Sequence, residues 1–413
     1  MLKQIGEAAA KAKYTLHGLT TEEKNKILLA VARGLEEDEK RILCQNEKDM
    51  DKGREKGMSA GLLDRLYLTK ERIYAMAEGI RQVAKLPDPV GELLESFQRP
   101  NGMVVEKVRV PMGVIGIIYE ARPNVTADAF ALAFKTGNVV ILKGGSDALF
   151  SNLAITESIQ KSLEKQGVVK EAIQLIADTD RKTTEEFMKM NDYVDVLIPR
   201  GGAGLISMVV NNSTIPVIET GTGNCHLYVD CDADLSMAAS LVVNAKTQRI
   251  GVCNACESLL VHKEIKDSFL PLLMKELEKV HQVEIRGDDQ VCALIPQAKK
   301  ATEEDYYKEY LDYILSVKVV SDVKEAIEHI NHYHTGHSDG IVTENEEIAL
   351  SFLNGVDSAC CYWNVSTRFT DGFEFGFGAE IGISTQKLHA RGPMGLKELT
   401  TYKYIIKGTG QIR

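Results

Sequence analysis

Residues 139–146 read VVILKGGS: an apolar run, a lysine, two glycines and a serine, followed by a helical pattern. A short apolar run bounded by glycines is typical of a buried strand in a parallel sheet. The glycines let backbone approach a ligand closely, and the start of the next helix favours anions. The stretch therefore predicts a strand, a turn and a helix of an α/β fold, with a ligand at the turn. The candidate contacts are Lys143, Gly144, Gly145 and Ser146; an ordinary tight turn is the alternative.

On both sides of this unit, apolar strands alternate with segments of helical spacing. The first set of predicted strands covers residues 114–119, 139–142, 173–176, 194–198 and 217–219. A second set begins after about residue 227 and covers residues 258–262, 317–320, 340–343 and 359–365. Alternating strands and helices are the signature of doubly wound α/β folds. We therefore predict two doubly wound α/β domains.

A second glycine loop follows the predicted strand at residues 194–198. It places Arg200, Gly201 and Gly202 at the strand end. Two such loops in one domain favour a dinucleotide at the carboxyl edge of the sheet, where ligands of open α/β sheets bind. Glu219 ends the next short strand and is a candidate base or ribose contact; an ordinary solvated carboxylate is the alternative.

The chain ends lie outside these two strand sets. Residues 1 to about 90 read as helices, with a capping box at residues 20–23. Two lone strand patterns, at residues 103–110 and 398–406, suggest an oligomerisation arm. The predicted division follows: a cofactor-binding domain at 1–98 and 113–226, a catalytic domain at 227–390, and the arm at 99–112 and 391–413.

Bulk composition narrows the class of protein. The 413 residues are 44% hydrophobic and 26% charged, as in a globular protein of two or three domains. The net charge, 49 − 59 = −10, argues against nucleic-acid or anionic-membrane partners. No apolar run resembles a signal core or approaches a membrane span, so we expect a cytoplasmic protein with its 8 cysteines reduced.

One cysteine stands where covalent chemistry needs it. Cys253 lies in the stretch QRIGVCNACE, residues 248–257, between a helical pattern at 235–247 and the strand at 258–262. A thiol at such a junction is held still, with backbone donors nearby to receive negative charge. The alternative is a buried cysteine that acts as a small apolar residue.

Two patterns could instead indicate metal or redox chemistry. Cys253 and Cys256 form a C-x-x-C pair, typical of a redox centre or half of a metal site. Residues 329–337 are rich in histidine, but they lie near a helix end, where histidine suits the helix dipole. No carboxylate spacing completes a ligand set, so we predict no metal.

A loop after the last strand of the second domain carries Ser366, Thr367 and Arg368. An arginine with neighbouring hydroxyls could clamp a carboxylate or a phosphate. A surface loop without a ligand is the alternative.

Several segments together resemble the aldehyde dehydrogenase superfamily. They cover residues 113–126, 135–138, 198–204, 219–221 and 252–255. Residues 336–343 and 374–386 resemble, more specifically, the branch that reduces an acyl phosphate. This resemblance implies NADPH-dependent reduction of L-glutamyl 5-phosphate to L-glutamate 5-semialdehyde through a cysteine thioester, the second step of proline biosynthesis. It also implies a homodimer or homotetramer, and substrate passed on from glutamate 5-kinase.

The resemblance further implies roles for single residues. Cys253 matches the nucleophile, and Asn124 matches the asparagine that holds the oxyanion together with the backbone N–H of Cys253. Lys143 matches the lysine that meets the adenosine ribose, and Glu309 the glutamate that holds the nicotinamide ribose. Glu219 matches the general base in placement, but phosphate release needs no activated water, so its need in catalysis stays open.

Two other functions remain. A hydrolytic aldehyde dehydrogenase would cleave the thioester with water. A metal-binding or redox protein without enzymatic activity would rest on the C-x-x-C pair and the histidines.

Overall fold

The computed structural model describes residues 1–413, apart from the side chain of Ala60. The helices are α1 (Leu2–His17), α2 (Thr21–Glu37), α3 (Glu39–Glu55), α4 (Ala60–Leu66), α5 (Lys70–Lys85), α6 (Asn124–Lys135), α7 (Leu149–Lys165), α8 (Arg181–Phe187), α9 (Ala203–Asn212), α10 (Leu235–Thr247), α11 (Lys266–Glu278), α12 (Asp289–Leu294), α13 (Glu303–Tyr307), α14 (Val323–Tyr333) and α15 (Glu346–Gly355). Within the described part of the chain, no helix has the length and apolar character needed to cross a membrane.

The strands form four sheets. They are β1 (Leu93–Gln98), β2 (Val104–Pro111), β3 (Val114–Tyr119), β4 (Val139–Gly144), β5 (Ile173–Leu175), β6 (Val196–Arg200), β7 (Cys225–Val229), β8 (Cys256–His262), β9 (Glu284–Gly287), β10 (Lys299–Lys300), β11 (Ile314–Val320), β12 (Ser338–Val342), β13 (Cys360–Trp363), β14 (Ile383–Ser384), β15 (Gly392–Pro393) and β16 (Thr400–Lys407).

The chain divides into two compact units. Unit 1 comprises Met1–Glu219, Gly376–Gly382 and Met394–Arg413, and unit 2 comprises Thr220–Phe375 and Ile383–Pro393. The division after Glu219 precedes the boundary drawn from the sequence after residue 226. Its physical reason is that Leu197 of β6 exchanges backbone hydrogen bonds with residues 216 and 218, which ties that segment to unit 1.

Unit 1 is built on a parallel sheet in the order β5-β4-β3-β6. Every residue of β3 and β4 is buried, as expected for a sheet with both faces covered. The predicted strand at 217–219 is only a single bridge from Val217 to Leu197. The N-terminal region is helical as predicted, and α2 begins with the predicted capping box, in which the Thr20 and Glu23 side chains bond each other's backbone N–H.

The two lone strands of the sequence pair with each other. β2 and β16 run antiparallel over eight residue pairs, from Thr400↔Pro111 to Lys407↔Val104. β1, for which the sequence analysis predicts no strand, adds the outer strand of this three-stranded sheet. Tyr402, Tyr404 and Ile406 of β16 are exposed.

Unit 2 contains a parallel sheet in the order β10-β9-β11-β8-β7-β12-β13. The predicted strands at 258–262, 317–320, 340–343 and 359–365 are confirmed within a few residues as β8, β11, β12 and β13. β7 and β9 were not predicted. β7 carries the buried His226, whose backbone N–H and Nδ1 both bond Asp339, and this distant partner makes a polar residue tolerable inside a strand.

Candidate active site

Cys253 lies in a turn between α10 and β8. The N–H of Ala255 closes this turn onto the carbonyl of Val252 at 3.2 Å. Asn254, Ala255 and the following strand are buried, whereas Cys253 is only partly buried. The turn thus fixes the backbone of Cys253 and leaves the residue partly exposed, as a nucleophile requires.

Gly223 packs directly against this turn. A Cβ at position 223 would come within 1.5 Å of the carbonyl oxygen of Cys253, so only glycine permits the approach. The N–H of Gly223 donates to Oε1 of Glu309 at 2.8 Å. Gly223 therefore links Glu309, a predicted cofactor contact, to the nucleophile turn. Burial raises the pKa of Glu309, and the bond from Gly223 opposes that shift.

A chain of buried polar side chains contacts the backbone of Cys253. The thiol of Cys225 donates to the carbonyl of Cys253 at 3.1 Å and lies 3.7 Å from Nδ1 of His337. From His337 the contacts continue through the hydroxyls of Ser338 and Thr370, at 2.7 Å and 2.6 Å. This chain fixes the turn from below without using the thiol of Cys253.

Asn254, the residue after the predicted nucleophile Cys253, joins this turn to the predicted substrate loop. Its Nδ2 donates to the carbonyls of Arg368 at 3.2 Å and Thr370 at 3.0 Å. In return, Oγ1 of Thr367 donates to the carbonyl of Asn254 at 2.8 Å. Three hydrogen bonds therefore hold the loop that carries Arg368 against the turn that carries Cys253.

Arg368 retains unused hydrogen-bonding capacity. Its Nε donates to Oε1 of Gln248 at 3.0 Å, while its buried Nη1 has no partner among the residues that the structure describes. Burial and the charge of Arg249 lower the pKa of Arg368, and the charges of Cys253 and Asp371 oppose this shift. A half-buried guanidinium with a buried, open N–H suits a carboxylate or phosphate ligand.

The two hydroxyls beside Arg368 are engaged within the protein. Ser366 donates to Oδ1 of Asn244 at 2.7 Å, and Thr367 bonds Asn254 as described. Both residues are buried. Of the three predicted substrate contacts, only Arg368 therefore retains a free donor. Ser366 and Thr367 stabilise the loop that carries it.

The second cysteine of the C-x-x-C pair is buried in β8. Its thiol donates to the carbonyl of Ser258 at 3.4 Å, and burial raises the pKa of Cys256 to about 12. A thiol that stays protonated is a poor partner for disulfide exchange. This environment weighs against the redox alternative.

The histidine-rich stretch serves internal packing. His329 is buried against the rings of Tyr306 and Tyr333, and burial, then the charges of His226 and Lys318, lower its pKa to about 2. His334 contacts the buried Asp339 at 3.2 Å, and His332 bonds the hydroxyl of Tyr307 at 2.7 Å. The side chains face different partners, which weighs against a shared metal.

A different group of possible metal ligands lies at the carboxyl ends of β7 and β8. Asp230, Cys231 and His262 bring one ligand atom each within 4.8 Å of one another. However, Nδ1 of His262 accepts the N–H of Glu264 at 3.2 Å, which leaves the ring proton on Nε2. Neither nitrogen of that neutral tautomer has a free lone pair for a metal.

In unit 1, the structure brings the two predicted glycine loops to one sheet edge. β4 and β6 flank β3, so both loops follow its neighbours in the sheet. Gly145 donates to the carbonyl of Tyr119 at 2.8 Å, and Glu120 donates to that of Arg200 at 3.2 Å. The strand order reverses between β3 and β6, and such a switch point is where dinucleotides bind.

Lys143, the next-to-last residue of β4, has only 5% of its surface exposed. Its Nζ bonds the carbonyl of Gly144 at 3.3 Å. Burial lowers the pKa of Lys143, and the carboxylate of Asp178 opposes the shift. A buried ammonium with one carbonyl partner can still donate two hydrogen bonds to a ligand.

The helix start that the sequence places at Asp147 is wrong in detail. Residues Ser146–Ala148 form a 3-10 turn, and α7 begins only at Leu149. The N–H groups of Phe150 and Ser151 already bond the carboxylate of Asp49, at 3.2 Å and 2.7 Å. The carboxylate of Asp49 thus occupies the N–H groups at the start of α7 to which a phosphate would otherwise bind.

The second loop has a more open helix start. α9 has Gly202 as its N-cap, without a side-chain cap, and the N–H groups of Ala203 and Gly204 have no partner within the described chain. Glu120 holds the loop by accepting the N–H of Gly202 at 2.9 Å, and a Cβ on Gly201 would meet that carboxylate at 2.6 Å. The start of α9 therefore suits a phosphate better than α7 does.

Asn124 and Glu219, the other two predicted catalytic residues, also belong to unit 1. Asn124 is the first residue of α6, is exposed, and donates through Nδ2 to Asp128 at 3.1 Å. Burial raises the pKa of Asp128 to about 6, opposed by Asn124 and the charge of Arg200. Glu219 is half-buried at the end of the unit.

Sequence reasoning did not single out Glu120, Asp128, Asn254 or Asp371. Asn254 directly follows the nucleophile, and Asp128 stands four residues after Asn124 on one helix, where side chains meet. These two spacings were available signals. Glu120 contacts a segment that is distant in the sequence, and Asp371 lies in an irregular loop. No local spacing therefore indicated either residue.

Comparisons with known proteins agree with this arrangement. The aldehyde dehydrogenase family matches residues 2–313 and 308–405. The chain is 59% identical over 408 residues to the gamma-glutamyl phosphate reductase of Moorella thermoacetica, covering 99% of this chain and 97% of the relative. It is 57% identical over 412 residues to the enzyme of the same name from Lachnospira eligens, covering 100% and 99%.

Among solved structures, a gamma-glutamyl phosphate reductase from Thermotoga maritima superposes with a TM-score of 0.98 at 49% identity. The match covers 100% of this chain and 99% of that one. These similarities extend over the entire chain and show that it is an oxidoreductase. The chain thus belongs to the aldehyde dehydrogenase family and, within it, to the gamma-glutamyl phosphate reductases.

Proposed function

We propose that this enzyme reduces L-glutamyl 5-phosphate to L-glutamate 5-semialdehyde with NADPH and releases phosphate, the second step of proline biosynthesis from glutamate. The relatives that cover the whole chain carry the name of this activity. One observation carries the proposal: a partly buried cysteine and an arginine with an open N–H are held on two loops that Asn254 bonds together.

The proposed chemistry begins at Cys253. Its thiolate attacks the acyl carbon of the substrate, the bond to phosphate breaks, and a thioester forms on the enzyme. After reduction of the thioester carbon, the thiohemiacetal collapses to the aldehyde and returns the thiolate. The backbone N–H of Cys253 and the amide of Asn124 are proposed to stabilise the oxyanion at both tetrahedral stages.

The residues of unit 1 fit a nicotinamide dinucleotide. Lys143 offers a buried ammonium with donors to spare, and the start of α9 offers two open N–H groups for phosphate. When bound, the reduced cofactor supplies the hydride that the thioester carbon accepts. Gly144, Gly145 and Ser146 stay proposed contacts beside Lys143, as do Arg200, Gly201 and Gly202 before α9. In unit 2, Glu309 keeps the proposed role at the nicotinamide ribose.

Phosphate, rather than water, is proposed to be the group exchanged at the thioester. Glu219, which resembles the general base of hydrolytic enzymes in its placement along the sequence, is then a proton handler or dispensable. The three-stranded sheet with its exposed Tyr402, Tyr404 and Ile406 supports a homodimer or homotetramer. Transfer of substrate from glutamate 5-kinase and the cytoplasmic location stay predictions.

A coupled assay tests the proposal. Glutamate 5-kinase, ATP and glutamate generate glutamyl phosphate in place, and oxidation of NADPH or NADH is followed by its absorbance. We expect oxidation of NADPH that requires the kinase, ATP and the enzyme together. An enzyme that oxidises neither cofactor under these conditions would contradict the proposed function.

A further inference from the structure

Asp371 lies three residues after Arg368 and has an unused carboxylate oxygen. Its Oδ1 accepts the N–H groups of Phe373 at 2.8 Å and Glu374 at 3.4 Å. Its own N–H donates to the carbonyl of Phe369 at 2.8 Å. These bonds hold the side chain in one orientation, and Oδ2 has no hydrogen-bond partner among the described residues.

The charges of Arg368 and Asp371 are close but not paired. Asp371 is among the charges that act on the guanidinium. Among the described side chains, however, no nitrogen of Arg368 comes within the 4.0 Å that defines an ion pair with Asp371. Nη1 of Arg368 is left buried without a partner. Two opposite charges held apart on one loop leave room for a ligand that carries both signs.

The nucleophile is near this pair of charges. Asn254 binds the carbonyls of Arg368 and Thr370, the residues on either side of Phe369, and Cys253 precedes Asn254. The charge of Cys253 also acts on Arg368. A substrate that reacts at Cys253 can therefore reach the pair with its far end.

We propose that Asp371 accepts the α-ammonium group of the substrate while Arg368 binds its α-carboxylate, so that the two residues select an α-amino acid head group. This inference rests on the proposed function, because it concerns the far end of the same substrate. Each protein charge then meets its opposite on the ligand, and the open N–H of Arg368 gains an acceptor. A substrate without the amino group leaves Asp371 unpaired, so the site discriminates by a lost charge-assisted bond.

The test compares two aldehydes of the same length, L-glutamate 5-semialdehyde and 5-oxopentanoate, which lacks only the α-amino group. Oxidation is followed with NADP⁺ and phosphate for the wild type, Asp371→Asn and Glu374→Gln. Asn keeps the oxygen that accepts the Phe373 N–H and removes the charge. Glu374 is an exposed carboxylate on the same turn and serves as the matched control. Each variant is compared with the wild type on the same aldehyde. Cyclisation of the amino aldehyde lowers the free substrate concentration equally in both assays and therefore does not change the ratio of their kcat/KM values.

Asp371→Asn should lower kcat/KM for the amino aldehyde by about 10- to 100-fold and leave that for 5-oxopentanoate nearly unchanged. Glu374→Gln should change neither. An equal loss on both aldehydes, or no loss on either, overturns the inference. If Asp371→Asn fails to fold, Asp371→Ser, whose hydroxyl can accept the same N–H, takes its place. A wild type that oxidises neither aldehyde would instead contradict the proposed function, so the two failures are distinguishable.

Discussion

The thiol of Cys225 donates a hydrogen bond to the backbone carbonyl of Cys253, with 3.1 Å between sulfur and oxygen. Burial, then the charge of Asp339, raises the pKa of Cys225 well above its ordinary value, so this thiol stays protonated and remains a donor. One cysteine therefore fixes the backbone of another that is only partly buried. We therefore expect Cys253, and not Cys225, to be the reactive thiol.

Exchange of single cysteines should separate the nucleophile from its neighbour. Cys253→Ser should abolish turnover, because a serine hydroxyl is far less nucleophilic than a thiolate. Cys256→Ser should retain most activity, because the Cys256 thiol is buried and bonded to the carbonyl of Ser258. Steady-state rates and thermal unfolding of both variants provide the measurement. Equal loss in two folded variants would indicate a redox pair.

Loss of the buried ammonium at the end of β4 should weaken cofactor binding. Lys143→Ala should raise the KM for the cofactor far more than that for the second substrate, as removal of a binding contact does. Lys165→Ala, at the exposed end of α7, is the matched control. Fluorescence titration gives the cofactor Kd for each variant. An unchanged Kd in Lys143→Ala would place the cofactor elsewhere.

Removal of the Arg368 guanidinium should lower kcat/KM for the substrate and leave the affinity for the cofactor unchanged. A lost charge-assisted hydrogen bond is worth about 1.5–3 kcal/mol, so Arg368→Ala should lower kcat/KM by about one to two orders of magnitude. Arg391→Ala, which removes an exposed ion pair with Asp357, should leave kcat/KM near the wild-type value. A wild-type kcat/KM in Arg368→Ala removes this residue from the substrate site.

The stability of the protein should fall as pH drops below about 6.5, the pKa of an unfolded histidine. Burial, with the charges of His226 and Lys318, holds the pKa of His329 at about 2, so the folded ring stays neutral where the unfolded one takes a proton. Such a group costs up to about 1.4 kcal/mol per pH unit below 6.5.

His329→Phe should therefore flatten the dependence of Tm on pH between about 7.5 and 5. His281→Phe is the control, because His281 also stacks on a tyrosine ring but is exposed. Calorimetry at several pH values measures both slopes. Parallel slopes in the wild type and His329→Phe would contradict the assignment of this acid sensitivity to His329.

The alternation of strands and helices could be predicted from the sequence alone. Buried strands and helices require apolar residues at characteristic spacings, and these spacings can be seen within a short stretch of sequence. The predicted α10 pattern at 235–247 and the capping box of α2 depend only on neighbouring residues, and both are confirmed. β7 was missed because His226 breaks its apolar pattern, and its partner Asp339 stands far along the chain.

The sequence predicts a site residue most readily where a short motif marks it, as at Cys253 and the two glycine loops. The occupied start of α7 was not predictable, because Asp49 reaches it from another helix. The hydroxyls of Ser366 and Thr367 looked available to a ligand in the sequence because their hydrogen-bond partners, Asn244 and Asn254, belong to distant segments.

The most direct test of the central claim is the reverse reaction, glutamate semialdehyde with NADP⁺, followed with and without phosphate. Once Cys253 carries a thioester, only an acceptor can release it. If phosphate is that acceptor, steady NADPH formation should saturate with added phosphate or arsenate, and without either only a burst of about one equivalent per active thiol should appear. Glu219→Ala should leave the phosphate-dependent rate largely intact. Sustained turnover in phosphate-free buffer that Glu219→Ala abolishes would contradict the claim and identify a hydrolytic aldehyde dehydrogenase.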